Sequence, residues 1–121
     1  MTTLEISDDK KIKEIKEEFN NKFPHLKIEF FSEEHKAGEA SKNSGLLDEE
    51  LYLKDIRKNH TNGSLSIDGH LKTSTLESNF HDHFGVNIQV YRKSGNLWLQ
   101  TASTDDWTLS HQEQKGEEYD K

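Results

Sequence analysis

Apolar residues recur along this chain at two spacings. Leu4 and Ile6 alternate with polar neighbours, which predicts a strand over residues 3–7. Ile12, Ile15, Phe19 and Phe23 then fall three, four and four apart, one stripe of a helix running to about Lys22. Ser7, Asp8 and Asp9 offer capping oxygens at its start, and Pro24 ends it. Leu26, Ile28 and Phe30 alternate with His25, Lys27 and Glu29, the pattern of a half-buried strand. The same order then returns. Leu65 and Ile67 mark a strand. Leu76, Phe80 and Phe84 mark a helix, opened by the capping-box pattern Ser74-x-x-Glu77 and closed by Gly85. Val86, Ile88 and Val90 mark a further strand, which Lys93-Ser94-Gly95-Asn96 turns back into Leu97–Thr101. Thr108 can cap a short helix over 109–115, with Gly116 just beyond it.

The two halves correspond position by position. Leu4, Ile6, Ile15, Phe19 and Phe23 match Leu65, Ile67, Leu76, Phe80 and Phe84 at an offset of 61, and Leu26, Ile28, Phe30 and Phe31 match Val86, Ile88, Val90 and Tyr91 at 60. This predicts an α+β fold of duplicated β-α-β(β) units about a pseudo-twofold, with an antiparallel sheet and two main helices on one face. One domain is expected over residues 1–116, its units spanning about 3–60 and 63–116, followed by a frayed tail at 117–121. Phe19, Phe23, Phe80 and Phe84 should share one core.

Between the units the pattern weakens. Residues 32–48 lose periodicity and read as a loop, either functional or disordered, with mobility expected over 36–44. Residues 49–60 admit two readings. Leu51-Tyr52-Leu53 resembles Leu97-Trp98-Leu99, which makes a strand. Glu49-Glu50-Leu51-Tyr52-Leu53 also resembles Asp105-Asp106-Trp107-Thr108-Leu109, which makes residues 53–60 a short helix with Leu53 and Ile56 inward.

Composition narrows the functional classes. Hydrophobic residues are 30% of the chain, so the core is small. Sixteen basic against 23 acidic residues give a net charge of −7, which disfavours non-specific binding to nucleic acid or anionic membranes. No apolar run is long enough to span a bilayer, and the N-terminus lacks the apolar stretch of a signal peptide. Without cysteine there is no disulfide framework and no thiolate chemistry. A cytoplasmic protein is the simplest expectation.

Candidate chemistry is sparse. His81 and His83 form an H-x-H pair, but in a helix the two positions diverge by about 200°. Asp48-Glu49-Glu50 and Asp105-Asp106 suit helix starts and solvated loops better than a catalytic cleft. There is no P-loop, no G-x-G-x-x-G and no G-x-S-x-G. No catalytic residue, metal ligand or cofactor is assigned. The sheet surface is more informative. A two-residue Ser94-Gly95 turn would pair Tyr91 with Trp98, Gln89 with Gln100 and Val90 with Leu99. Parity then places Phe31, Tyr91, Trp98, Gln89 and Gln100 on the face away from the aliphatic core. Such a face suits a protein partner or a homodimer. An acidic, non-enzymatic interaction module is the expected function. A small-molecule-binding or metal-dependent enzyme and a single-stranded nucleic-acid binder are the alternatives.

The stretch Phe84-Gly85-Val86-Asn87-Ile88-Gln89-Val90-Tyr91-Arg92-Lys93-Ser94-Gly95-Asn96-Leu97-Trp98-Leu99, continued by Thr104-Asp105-Asp106-Trp107-Thr108-Leu109, resembles a segment of small uncharacterised bacterial proteins, chiefly of Bacteroidota type. The helix and strand around Phe23 to Phe31 are also similar. This resemblance implies a bacterial cytoplasmic protein and carries no activity. At the level of fold, tandem βαβββ units of this length resemble the vicinal oxygen chelate proteins. That likeness implies a metal held by His and Glu at strand ends, or a hydrophobic ligand where the metal is lost. Here Thr3-Leu4-Glu5-Ile6 has no His, and the first unit has no obvious third strand.

Overall fold

The computed structural model describes residues 2–33 and 45–119. Alternation along Thr3–Ile6 (β1) buries Leu4 and Ile6 and exposes Thr3 and Glu5. The helical stripe is realised in Ile12–Lys22 (α1), which buries Ile12, Ile15 and Phe19. Leu26–Phe31 (β2) follows, then, among the described residues, a 3-10 turn at Leu53–Asp55 and Gly63–Ser66 (β3). Thr73–Phe84 (α2), Asn87–Ser94 (β4), Leu97–Gln100 (β5), a 3-10 turn at Ala102–Thr104 and Leu109–Tyr119 (α3) complete the chain. The α+β expectation holds, but the strands form two antiparallel sheets: β1-β3, and β2-β4-β5 in that order. Phe19, Phe23, Phe80 and Phe84 all lie in one buried cluster with the inward residues of the strands, and Phe30 meets Phe80 edge-on at 6.1 Å.

Each ladder contains one pair whose residues stand at the spacing noted in the sequence, 61 in the first and 60 in the second. In β1-β3, Leu4 lies opposite Leu65. In β2-β4, Glu29 lies opposite Gln89. Contacts elsewhere match in the same way. Ile12 and Lys13 N–H donate to the carbonyls of Leu51 (2.9 Å) and Glu49 (3.0 Å), while Thr73 and Ser74 N–H donate to those of Trp107 and Asp105 (both 2.8 Å). These backbone carbonyls satisfy the first orphan donors of both helices. The expected side-chain caps are therefore not made. Neither helix has a side-chain cap bond at its N-cap residue, and Glu77 and Asp8 are engaged elsewhere.

Of the two readings of residues 49–60 the strand is not formed, and the short helix expected over 53–60 is only the 3-10 turn at Leu53–Asp55, with the expected inward residues in place. Leu53 and Leu109 are both fully buried, and Ile56 packs against the core. The stretch expected as a loop over 32–48 proves partly structured. Leu47 N–H donates to Phe30 O (2.9 Å) and Ser32 N–H to Gly45 O (2.8 Å), so residues 45–47 pair with the outer edge of β2. They occupy the place that Thr101 holds beside β4, where Thr101 N–H donates to Val90 O (3.2 Å). The mobility expected over 36–44 falls outside the described residues, as do positions 120 and 121 of the expected tail.

Each half also reaches across to the other. Arg57, buried after the first 3-10 turn, donates through Nη1 to the carbonyl of Phe84 at the end of α2 (3.0 Å). Glu113 of α3 accepts the N–H of His25, just after α1 (2.8 Å). Here the structure differs from the expected frayed tail. Thr108 Oγ1 accepts His111 N–H as a cap (3.1 Å), and α3 then continues through Gly116 to Tyr119. Gly116 is not a helix stop. It is buried where α3 lies against His25 and Arg92, and a side chain there would collide with both.

Candidate functional site

The β4-β5 hairpin carries the residues singled out from the sequence. Its two loop residues are Gly95 and Asn96, because Gly95 takes the positive φ (60°) that a II′ hairpin requires at the first loop position. The register is therefore two residues from the one expected. Tyr91 lies opposite Gln100, Arg92 opposite Leu99, Lys93 opposite Trp98, and Ser94 opposite Leu97. Parity survives the slide, so Tyr91, Trp98 and Gln100 do share one face, joined there by Lys27, which lies opposite Tyr91 in the β2-β4 ladder. The inward partners do not survive it. Leu99 now stands opposite Arg92 rather than the expected Val90, Leu97 stands opposite Ser94, and the two leucines are 43% and 66% exposed.

Two of the five expected surface residues are not at the surface. Phe31 is 3% exposed, and its ring lies near Gly45 in the segment that pairs with β2. Gln89 is fully buried, and its Nε2 donates to Glu77 Oε2 (3.2 Å). That carboxylate also accepts Val90 N–H (3.0 Å), standing in for a strand carbonyl where β5 has ended. The counterpart contact in the first half is Lys16 of α1 on Glu29 of β2. A polar row, Lys16, Glu29, Gln89 and Glu77, thus crosses the middle of this face. It could have been read from the sequence, since 16 and 77 differ by 61 and 29 and 89 by 60.

What remains open is a cleft of about 290 Å³ beside α1, lined by Lys13, Lys16, Glu17, Asn20, Lys27, Glu49 and Trp98. Three of its α1 residues follow helical spacing, 13, 16 and 20, so one side of the helix forms the wall. Lys27 Nζ lies 5.2 Å from the ring centres of both Tyr91 and Trp98. Each such contact is worth roughly 0.5–1 kcal/mol when partly exposed. The other lysines along this wall are neutralised: Lys13 by Glu50 (3.1 Å), Lys16 by Glu49 (2.8 Å) and Glu29. Burial lowers the Lys16 pKa, but the two carboxylates outweigh it and hold the ammonium above its ordinary value. Among the described residues, Lys27 has no carboxylate partner within ion-pair range. Burial raises the Tyr91 phenol above its ordinary pKa, with the charge of Glu29 adding to it and a hydrogen bond with Gln100 opposing.

Other polar clusters are built for support. Asp8 accepts Nε (3.0 Å) and Nη2 (2.8 Å) of Arg57 and pairs with Nδ1 of His60 (2.8 Å). His25 Nδ1 pairs with Glu113 (2.5 Å). Both are carboxylate–imidazole pairs that join segments far apart in the sequence. Gln112, fully buried, ties Thr73 and Thr104 to Arg92, whose guanidinium lies 5.3 Å from the Trp107 ring; Trp107 stacks on His111 at 4.2 Å. Among the described residues no three His, Asp or Glu side chains converge as metal ligands. No helix among them is long and apolar enough to cross a membrane. No protein-family model, curated protein or solved structure matches the chain.

Proposed function

We propose that the protein is a non-enzymatic binding module and that the cleft between α1 and the Tyr91–Trp98 face is its site. The observation that carries this reading is the Lys27 ammonium, held over two rings at the cleft without a carboxylate partner among the described residues. A ligand or partner side chain with a flat apolar body and an acidic group fits it: the body against Trp98, the acid on Lys27. Single-stranded nucleic acid fits less well, because the neighbouring lysines are already neutralised by Glu and the net charge is −7. In the same reading the two halves are one unit used twice, and the setting is a bacterial cytoplasm, as the resemblance implies.

The test is a fragment screen by ligand-observed NMR with flat aromatic acids. Binders should perturb the Trp98 indole and Lys27 and lose affinity about tenfold in Lys27→Met, where the ammonium is absent. The reading fails if no fragment binds, if binders map away from these residues, or if affinity is unchanged without the ammonium.

A further inference from the structure

The free edge of the three-stranded sheet points to a second copy of this chain. In the β4-β5 ladder Thr101 N–H bonds Val90 O, so hydrogen-bonded pairs fall at 90/101, 92/99 and 94/97. Alternation then sends the main-chain groups of Leu97 and Leu99 inward to β4 and those of Trp98 outward, beyond the sheet. β5 is the terminal strand in the sheet order, so among the described residues this edge faces no further strand. Natural edges of this kind are usually guarded by charge, proline or a bulge. Here residues 94–104, Ser-Gly-Asn-Leu-Trp-Leu-Gln-Thr-Ala-Ser-Thr, form the longest stretch without a formal charge in a chain of which 32% is charged. The strand also exposes Leu97 and Leu99 on one side.

We infer that two copies associate by pairing β5 against β5, antiparallel, with Trp98 opposite Trp98 of the second copy on the dyad. This goes beyond the reading of the cleft and does not rest on it. Charge selects the occupant. Two molecules of net charge −7 repel, and residues 94–104 are the stretch to which a second copy of the strip brings no formal charge. Direction follows from symmetry: a two-fold axis that relates two copies of one edge strand makes the paired strands antiparallel. Register follows from parity. Only outward-pointing residues can exchange hydrogen bonds, and with Trp98 on the dyad Leu97 faces Leu99 of the second copy twice, so all four exposed leucines are matched. A four-residue strand buries less than the ~800 Å² per partner of a standard interface, so the dimer should be weak and concentration-dependent, at roughly micromolar or weaker affinity.

Sedimentation equilibrium of the wild type between 10 µM and 1 mM (~100-fold in concentration, bracketing that affinity) should show a monomer–dimer equilibrium. The double variant Leu97→Lys/Leu99→Lys should weaken it at least tenfold with unchanged circular dichroism, because both side chains are exposed. In the wild type, amide exchange at Trp98 should slow with concentration, while Leu99, already bonded within the sheet, should not change. A protein monomeric throughout the range overturns the inference. So does a dimer that the lysine variant leaves intact, or one that forms without slowing exchange at Trp98.

Discussion

Gly116→Ala sets two physical effects against each other. Alanine in a helix interior is favoured over glycine by about 1 kcal/mol, so α3 taken alone should gain. A methyl group on Gly116, however, would lie 2.7 Å from His25 Cβ, 3.1 Å from His25 O and 3.4 Å from Arg92 Cγ. The first two are main-chain atoms or fixed to the main chain, so α3 must move outward. Overpacking of this kind costs about 1–3 kcal/mol. The displacement also strains the His25–Glu113 bonds and the Gln112–Arg92 contact, each worth about 1.5–3 kcal/mol as a hydrogen bond to a charged group. A net loss of about 2 kcal/mol is expected, or roughly 8 °C in Tm for a domain of this size. Urea titration followed by Trp107 fluorescence measures it directly, since that indole stacks on His111 of α3. A variant as stable as the wild type, or more so, would refute the assignment of Gly116 as a packing residue.

Phe80→Ala, at a fully buried position, should cost about 3–5 kcal/mol in the same titration, and near-native stability would contradict its place at the centre of the core. In an ultraviolet titration the Tyr91 phenol should ionise above the ordinary value of about 10, and Glu29→Gln should bring it down. Because the folded value of Tyr91 is the raised one, its contribution is present below about pH 10 and is lost above it; a Tyr91 phenol that ionises at the ordinary value would count against its burial. Asp8 behaves in the opposite sense. Burial raises its carboxyl, but the hydrogen bonds and charges of Arg57 and His60 hold it below the ordinary value. Its contribution is therefore present above about pH 4 and lost on further acidification. Asp8→Asn should flatten this acid limb of Tm against pH, and an unchanged limb would remove Asp8 from the account.

Residues whose role is set by periodicity were legible in the sequence. The stripes of α1 and α2 and the alternation of β2 and β4 follow from spacing, and the inward positions of Leu53 and Ile56 from the likeness of residues 49–53 to 105–109 in the sequence. The hairpin register was not, because Ser94-Gly95 and Gly95-Asn96 are both acceptable two-residue loops and only the φ of Gly95 decides between them. Phe31 looked exposed because parity shows where a side chain points, not what covers it; residues 45–47 do so from a stretch with no periodic signal. Gly116 looked like a helix stop because close approach of a distant strand leaves no local mark. Lys27, the centre of the candidate site, was read only as the polar partner of an alternating strand, since its contact with two rings depends on that same register.

The matched ladders carry a consequence for how the chain is made. β1 finds its partner in β3 and β2 finds its main partner in β4, each about sixty residues further on. While only the first half has emerged from a ribosome, α1 can form and residues 45–47 can lie along β2, but neither ladder can close. Loop-closure entropy for such separations must be met before any pairing rewards it, which makes folding slow relative to helical proteins of this size. During synthesis β2 would therefore wait with an unpaired edge of Leu26, Ile28 and Phe30, a segment open to wrong partners. The commitment to fold comes when β4 arrives, and with Glu113 closing on His25 the last helix is needed to complete the first.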